Sequence, residues 1–285
     1  MEKVQIGRII EIYKDSLLLA SEVAITRVRL PRGLEIAVGD WLEFSRSSHE
    51  TSIIRIQDRK SSLEKLVNKK KKIVVSNIDA IAIMASSKPK LSRFLVDKWL
   101  ALSHINNLDC IMIFNKSDRQ DFKEVEDDIS LYENLGIKCF RVSAKHNQGI
   151  EKLKHAILRK SIALVGLSGV GKSSLIKILT GDDIKTQALS RNTGKHTTTT
   201  TRIYTGENFE LVDTPGAGDI NLECFDKSQI ISGFAEIHAS SLLCKFSNCN
   251  HAPNDKGCNV IKSLNEGMIK ISRYENLMQQ INEKK

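Results

Sequence analysis

Apolar residues change their spacing twice along this chain, and the changes divide it into three regions. Up to about residue 66 they come in short runs: VQIGRIIEIY, SLLLAS, AITRVRL, DWLEFSR and TSIIRIQDR, each bounded by Gly, Pro, Asp or Ser. Such runs are strands, because successive side chains point to opposite faces and turn residues interrupt them. Five of them predict a small barrel, an OB-fold or the similar SH3-like barrel. The lysine-rich NKKKK at 68–72 reads as a solvated linker edge.

Beyond it, strands alternate with helices. IDAIAIMAS, CIMIFNKSD, KCFRVSAK, SIALVG and FELVDTPG are apolar strands. LSRFLVDKWLALSHIN and DFKEVEDDISLYENLG carry helical spacing, and further helices are expected near 150–158 and from Lys172 onward. Buried strands between amphipathic helices predict a mostly parallel sheet covered on both faces. After Asp219 the chain turns helical, with a cysteine-rich insertion and the polar tail MIKISRYENLMQQINEKK. The expected organisation is a barrel at 1–66, an α/β domain at 73–218 and a helical domain at 219–285.

Composition adds little to this picture. No apolar run is long enough to span a membrane, and the N-terminus lacks the pattern of a secretory signal, so a cytoplasmic protein is expected. A net charge of +9 raises the odds of a polyanionic partner such as RNA. Cys110 and Cys139 lie in apolar runs and read as small buried hydrophobes, and Cys224 stands alone. Cys244, Cys249 and Cys258 instead cluster around His251, which in a reducing compartment favours metal over disulfide.

The chemistry begins at Gly166–Ser173, GLSGVGKS, which fits G-x-x-x-x-G-K-[ST] between a strand and a helix. Gly166, Gly169 and Gly171 allow backbone N–H groups to converge on phosphates. Leu167, Ser168 and Val170 complete the loop, and Ser174 follows it. Lys172 is expected to reach the β- and γ-phosphates, and Ser173 to ligate Mg²⁺. Asp213-Thr214-Pro215-Gly216 fits D-x-x-G at a strand end, with Asp213 near the magnesium and the Gly216 N–H near the γ-phosphate. Between them lies NTGKHTTTTT, 192–201, whose hydroxyls could complete the Mg²⁺ shell. Thr197, Thr198 and Thr199 all qualify. Thr198 and Thr199 enter the candidate catalytic set with Lys172, and Thr199 is paired with Ser173 as a magnesium ligand.

Asn115-Lys116-Ser117-Asp118 also ends an apolar strand. The Asp118 carboxylate matches the N1–H and N2–H donors of guanine, a pair that adenine lacks. Ser143-Ala144-Lys145 ends the next strand and can present backbone N–H to guanine O6. Only the order is unusual, because the guanine elements precede the phosphate loop. Cyclically this is the ordinary GTPase order, cut after D-x-x-G and rejoined through Ile157–Ser161. The expected fold is a circularly permuted P-loop GTPase domain.

Taken whole, the chain resembles the ribosome-assembly GTPases of the RsgA (YjeQ) type. The likeness rests on VGD at 38–40, NID at 77–79, NKSD, SAK, GLSGVGKSSLI, GKHTTT, DTPG, the Cys/His cluster and SRY at 272–274. It implies an N-terminal OB-fold, a permuted GTPase domain, a C-terminal zinc domain, and hydrolysis of GTP to GDP stimulated by the small ribosomal subunit during its late maturation. Two positions depart from the family. Leu167 replaces a Gln or Arg, and the loop from His251 to Cys258 is one residue longer than expected.

Cys244, Cys249, His251 and Cys258 form a Cys₃His set for one closed, structural Zn²⁺. The residue after D-x-x-G is Ala217, which cannot orient a water, so unaided turnover is expected to be slow. His196 is the candidate water-positioning group, the other reading being a solvated loop histidine. The expected partners are the small subunit and its rRNA, without a membrane, for a monomer. Trp41 and Phe44 are the chief barrel aromatics, so phosphate and shape contacts are expected to outweigh stacking. The D-x-x-G element runs into the zinc domain, so the nucleotide is expected to set that domain's position against the barrel. An RNA-binding module with a non-hydrolysing nucleotide site is the alternative, disfavoured by the intact Lys172, Ser173 and Asp213.

Overall fold

A computed structural model describes residues 4–30, 33–47, 51–67, 70–181, 201–214 and 222–283. The first five strands are β1 (Val4–Ile12), β2 (Ser16–Ser21), β3 (Ile25–Arg29), β4 (Trp41–Arg46) and β5 (Thr51–Ile56). β1 lies between β2 and β4, and β4 pairs with β5, all antiparallel. Placing β1 beside the non-sequential β4 is the Greek-key pairing of an OB-fold rather than a simple meander. Ile9, Leu17, Leu19, Val28, Leu42 and Phe44 close the interior. Phe44 is therefore core and no RNA-facing aromatic. Trp41 is 37% exposed, with the Arg8 guanidinium 5.4 Å from its ring centre.

The described part of the lysine run, Lys70–Lys72, is not a linker, and Asn68 and Lys69 lie outside the described residues. Lys70–Lys72 open β7 (Lys70–Ser76), which pairs antiparallel with β6 (Ser62–Val67) as a separate hairpin. The charged ends hide a strand whose inner residue, Val75, is fully buried. A run of like charge says where solvent lies, not whether the backbone is paired.

The α/β domain comprises β8 (Ala80–Ala85), α1 (Arg93–Ile105), β9 (Asp109–Phe114), α2 (Glu126–Asn134), β10 (Lys138–Arg141), α3 (Ile150–Ile157), β11 (Ser161–Val165), α4 (Lys172–Thr180), β12 (Arg202–Gly206) and β13 (Phe209–Asp213). Residues 120–125, expected to open α2, form a 3₁₀ turn instead. The strand order is β10-β9-β8-β11-β13-β12, parallel except for the β12–β13 pair. Alternation on β8 shows both faces covered. Ile81 and Ile83 join the core containing α1 and α2, whereas Ala80, Ala82 and Met84 join the one containing α3 and α4. The permutation joint is short. α3 ends at Ile157, Arg159 takes a left-handed conformation, and its N–H donates to Asn208 O at 2.6 Å just before β11.

β12, in TRIYTG, was not foreseen, yet it joins the two sheets: β1 pairs with it, making one sheet of 11 strands. The last region is helical, with α5 (Lys227–Ser232), α6 (Ala235–Ser241), α7 (Asn259–Asn265) and α8 (Ile271–Asn282). Asp226 and Gln229 form a capping box at the start of α5. No helix among the described residues is long and apolar enough to cross a membrane.

Candidate nucleotide site and metal cluster

The parallel strands deliver three loops to one end of the sheet, where ligands bind in such folds. β9 leads into Asn115–Asp118, β10 toward Ser143–Lys145, and β11 into Gly166–Gly171. The three are fastened together by Asn115, which is 3% exposed. Its Nδ2 donates to Val170 O at 2.9 Å, and its Oδ1 accepts from Ala144 N–H at 3.1 Å. One side chain thus holds the phosphate loop and the purine-edge loop in register, although more than fifty residues of chain separate Asn115 from Val170. Losing it would leave a buried carbonyl and a buried N–H unpaired, at about 1–3 kcal/mol each.

Close approach explains two glycines. A Cβ on Gly171 would lie 2.3 Å from Asn115 Nδ2, and one on Gly166 would lie 2.4 Å from Met84 O. Lys116 adds a strap, donating from Nζ to Gly169 O at 2.7 Å and to Lys88 O at 2.6 Å. Val170 is buried and Leu167 half-buried, packing the loop down, whereas Ser168 and Gly169 are exposed. The departure at Leu167 is accommodated there, facing Leu91, Leu95 and Trp99 across an apolar pocket.

Asp118 is oriented before any ligand arrives. Its Oδ1 accepts from Ser143 Oγ at 2.6 Å, and His146 Nε2 stands 3.6 Å from Oδ2. The hydrogen bond from Ser143 holds the carboxyl below the usual carboxylate range, with the nearby His146 and Lys145 charges assisting. The Ala144 N–H is already donated to Asn115, and Lys145 is exposed beside it.

On the phosphate side, Lys172 opens α4 and curls onto its own loop. Its Nζ donates to Gly166 O at 2.8 Å and Leu167 O at 3.2 Å. Ser173 and Ser174 are exposed on the first helical turn, where N–H groups lack intrahelical partners. Asp213, 4% exposed, ends β13 level with Leu164 of β11. Burial lowers the Lys172 pKa and raises that of Asp213, and their mutual attraction opposes both shifts. A half-buried cation that attracts a buried carboxylate at a helix N-terminus suits a ligand of high negative charge with a divalent cation. Thr214 Oγ donates to Leu164 O at 2.8 Å. His196, Thr197, Thr198, Thr199 and Gly216 lie outside the described residues.

Cys244, Cys249, His251 and Cys258 converge after α6 and at the start of α7, with all ligand atoms within 4.8 Å of one another. Cys244 Sγ lies 3.9 Å from Cys258 Sγ, and His251 Nδ1 lies 3.7 and 3.6 Å from those two sulfurs. Tetrahedral Zn–S bonds of about 2.3 Å would place sulfurs about 3.8 Å apart, so the residues fit such an ion through Nδ1. Burial lowers the His251 pKa, favouring the neutral imidazole that ligation needs. Asp255 ties the longer loop by accepting from Asn250 N–H and Ala252 N–H. Tyr274, from the SRY stretch, donates to His251 O at 2.7 Å.

Comparison with known proteins agrees with this geometry. Residues 56–223 match the model of the RsgA GTPase family. A small ribosomal subunit biogenesis GTPase RsgA from Dichelobacter nodosus is 34% identical over 252 residues, covering 86% of this chain and 79% of its own. The crystal structure of YjeQ from Thermotoga maritima aligns with a TM-score of 0.77 at 27% identity, over 99% of both chains. YloQ, a circularly permuted GTPase, aligns with a TM-score of 0.74 over 99% of this chain and 95% of its own; at 20% identity it speaks for the fold alone.

Proposed function

The chain belongs to the RsgA GTPase family, and from that premise we propose that it binds the small ribosomal subunit and assists its late maturation in the cytoplasm. It hydrolyses GTP to GDP and phosphate, and turns over quickly only on the subunit. The observation that carries this reading is the Asn115 clasp. Guanine and phosphate elements that are shuffled in sequence meet through one buried side chain, with a barrel and a metal-binding module on either flank.

In this reading Asp118 accepts from guanine N1–H and N2–H. Because Ala144 N–H is engaged by Asn115, the Lys145 N–H donates to guanine O6. Lys172 leaves the carbonyls of Gly166 and Leu167 for the β- and γ-phosphates, exchanging two neutral acceptors for charged ones. Ser173 and Thr199, with Asp213, would hold a magnesium ion, which would supply charge neutralisation for the phosphates. Thr198 and His196 are the remaining catalytic candidates, His196 to position water.

Cys244, Cys249, His251 and Cys258 would hold zinc in a structural part, since four protein ligands would leave no open position for water. On the barrel, exposed Lys14, Arg27 and Arg29 surround the β1–β2 turn, with the Arg27 guanidinium 4.5 Å from the Tyr13 ring. That surface suits phosphate contact with rRNA by a monomer of this chain. The test is GTP turnover with and without purified small subunits. Stimulation that Lys172→Ala abolishes supports the reading; turnover indifferent to both subunits and Lys172→Ala contradicts it.

A further inference from the structure

Two ion pairs fasten the barrel to the GTPase sheet, at opposite ends of the strands. Arg8 of β1 reaches Glu210 and Ser161 Oγ, the latter at 3.2 Å, and donates to Asn77 O at 2.8 Å. Ser161 and Glu210 stand at or near the starts of β11 and β13, away from the nucleotide loops. Three residues further along β1, Glu11 faces Arg202, with Oε2 3.5 Å from a guanidinium nitrogen and Glu11 wholly buried. Arg202 is the register partner of Glu11 on one side and of Asp213 on the other. It is also the first residue of β12, directly following the threonine-rich stretch 197–201 in sequence.

We infer that the Glu11–Arg202 pair positions the nucleotide end of β12 and so carries the barrel's engagement with the small subunit to the hydrolytic side of the site. The inference rests on the function proposed above and adds its route of regulation. Among the described residues, β12 is the one strand that hydrogen-bonds both to the barrel and to the strand ending in Asp213. A shift of β1 against the GTPase sheet therefore acts at Arg202 before it reaches any phosphate-binding residue. Glu11 cannot relax into solvent, because an ionised carboxylate without access to water needs its cation nearby. Arg202 stays one-fifth exposed and lies 5.2 Å from the Tyr204 ring centre, which gives it a second resting contact if β1 moves. The Arg8 contacts hold the other end of the strands and serve attachment alone.

The discriminating experiment uses the full-length protein with Glu11→Gln, which keeps the shape and removes the charge, and Glu210→Gln at the far end. GTP turnover is measured alone and on saturating small subunits. Subunit affinity is measured by co-sedimentation with a non-hydrolysable GTP analogue. For Glu11→Gln the expected result is unchanged basal turnover, unchanged subunit affinity, and a stimulated kcat lower by about tenfold, the scale of ordinary coupling between sites. Glu210→Gln is expected to be stimulated like the wild type. Full stimulation of Glu11→Gln overturns the inference. Loss of subunit binding by Glu11→Gln also overturns it, because the pair would then serve only the barrel's own structure. A wild type that subunits do not stimulate overturns the functional reading itself, an outcome distinguishable from either.

Discussion

The GTPase sheet carries a module on each flank, and the two are attached by different physics. The helical module shares its core with the GTPase domain: Phe234, Ile237, Val260 and Leu277 belong to the same buried cluster as Val96, Trp99 and Ala101 of α1. Gly233 lies so close to α1 that a Cβ there would stand 2.7 Å from Ala101. Through that apolar contact runs a buried polar knot. Asp97 of α1 pairs with Arg273 of α8 at 2.7 Å, Arg273 reaches Glu236 at 2.7 Å, and Asn276 and Tyr132 donate to Asp97. Burial works against the charge on Arg273, yet Asp97 and Glu236 hold its pKa above the ordinary value. The barrel instead keeps its own core; among its described buried residues Ile10, Val38 and Leu63 reach the shared cluster, and half-buried Ile12, Leu18 and Ala20 pack against its edge. Its remaining attachments among the described residues are mostly polar: the β1–β12 pairing, the pairs of Arg8 and Glu11, the Val38–Val75 bridge, and hydrogen bonds that Ser76 and Asn77 donate to Val38, Asp40 and Gly39.

A close-packed shared core resists sliding, whereas a few polar tethers can be exchanged for others. The contrast changes where nucleotide-dependent motion is to be sought. The helical module is therefore expected to move with the GTPase domain, and displacement is expected at the barrel seam.

The harshest way to break this contrast is Arg273→Ala. It strands Asp97 and Glu236 at a buried junction and is expected to cost about 3–5 kcal/mol in the denaturant-unfolding free energy. The helical module and GTPase domain should still unfold in one transition. Two separated transitions in the wild type would show that the core is not shared. Chelation is a milder cut, confined to the tip of the same module. It should release three additional thiols to a reagent and leave guanine-nucleotide affinity unchanged. Cys110 and Cys139, whose thiols burial pushes up to about 12, should stay unreactive. Loss of nucleotide binding on chelation would mean that the rigid flank reaches further into the site than its contacts indicate.

The smallest expected effect lies between the flanks. The Ser143 hydrogen bond lowers the Asp118 pKa, so the ionised form is favoured and guanine binding is lost only as pH falls through that depressed value. Ser143→Ala should raise the pH at which GDP affinity fails toward the ordinary Asp value of about 3.9, and weaken affinity several-fold at neutrality. An unchanged pH profile would show that His146, rather than Ser143, holds the carboxylate.

Much of this arrangement was legible in the residues themselves. Apolar strands announce a covered parallel sheet, and G-x-x-x-x-G-K-S requires the strand–helix junction it has. Other features were hidden for definite reasons. β12 has too few apolar residues to stand out from the threonines before it, and its partners β1 and β13 lie in distant sequence. Lys71 and Lys72 look like linker because their charges mask a hairpin. Phe44 reads as a stacking aromatic until β4 is seen to turn it inward. Arg8, Glu11, Asp97 and Arg273 were anomalous charges in apolar or helical runs, and that anomaly was the available signal. The pairs Arg8–Glu210, Glu11–Arg202 and Asp97–Arg273 span 202, 191 and 176 positions, which no local pattern records.

The central claim is that permuted segments close around a single guanine nucleotide, with Asp118 reading the base while Lys172 holds the phosphates. Exchanging Asp118 for Asn tests it directly, because an amide offers one donor and one acceptor where the carboxylate offered two acceptors. Calorimetry of Asp118→Asn with GDP and with xanthosine diphosphate, which carries a carbonyl in place of the 2-amino group, should show GDP binding lost and xanthosine diphosphate binding gained. Undiminished GDP affinity in Asp118→Asn would contradict the account.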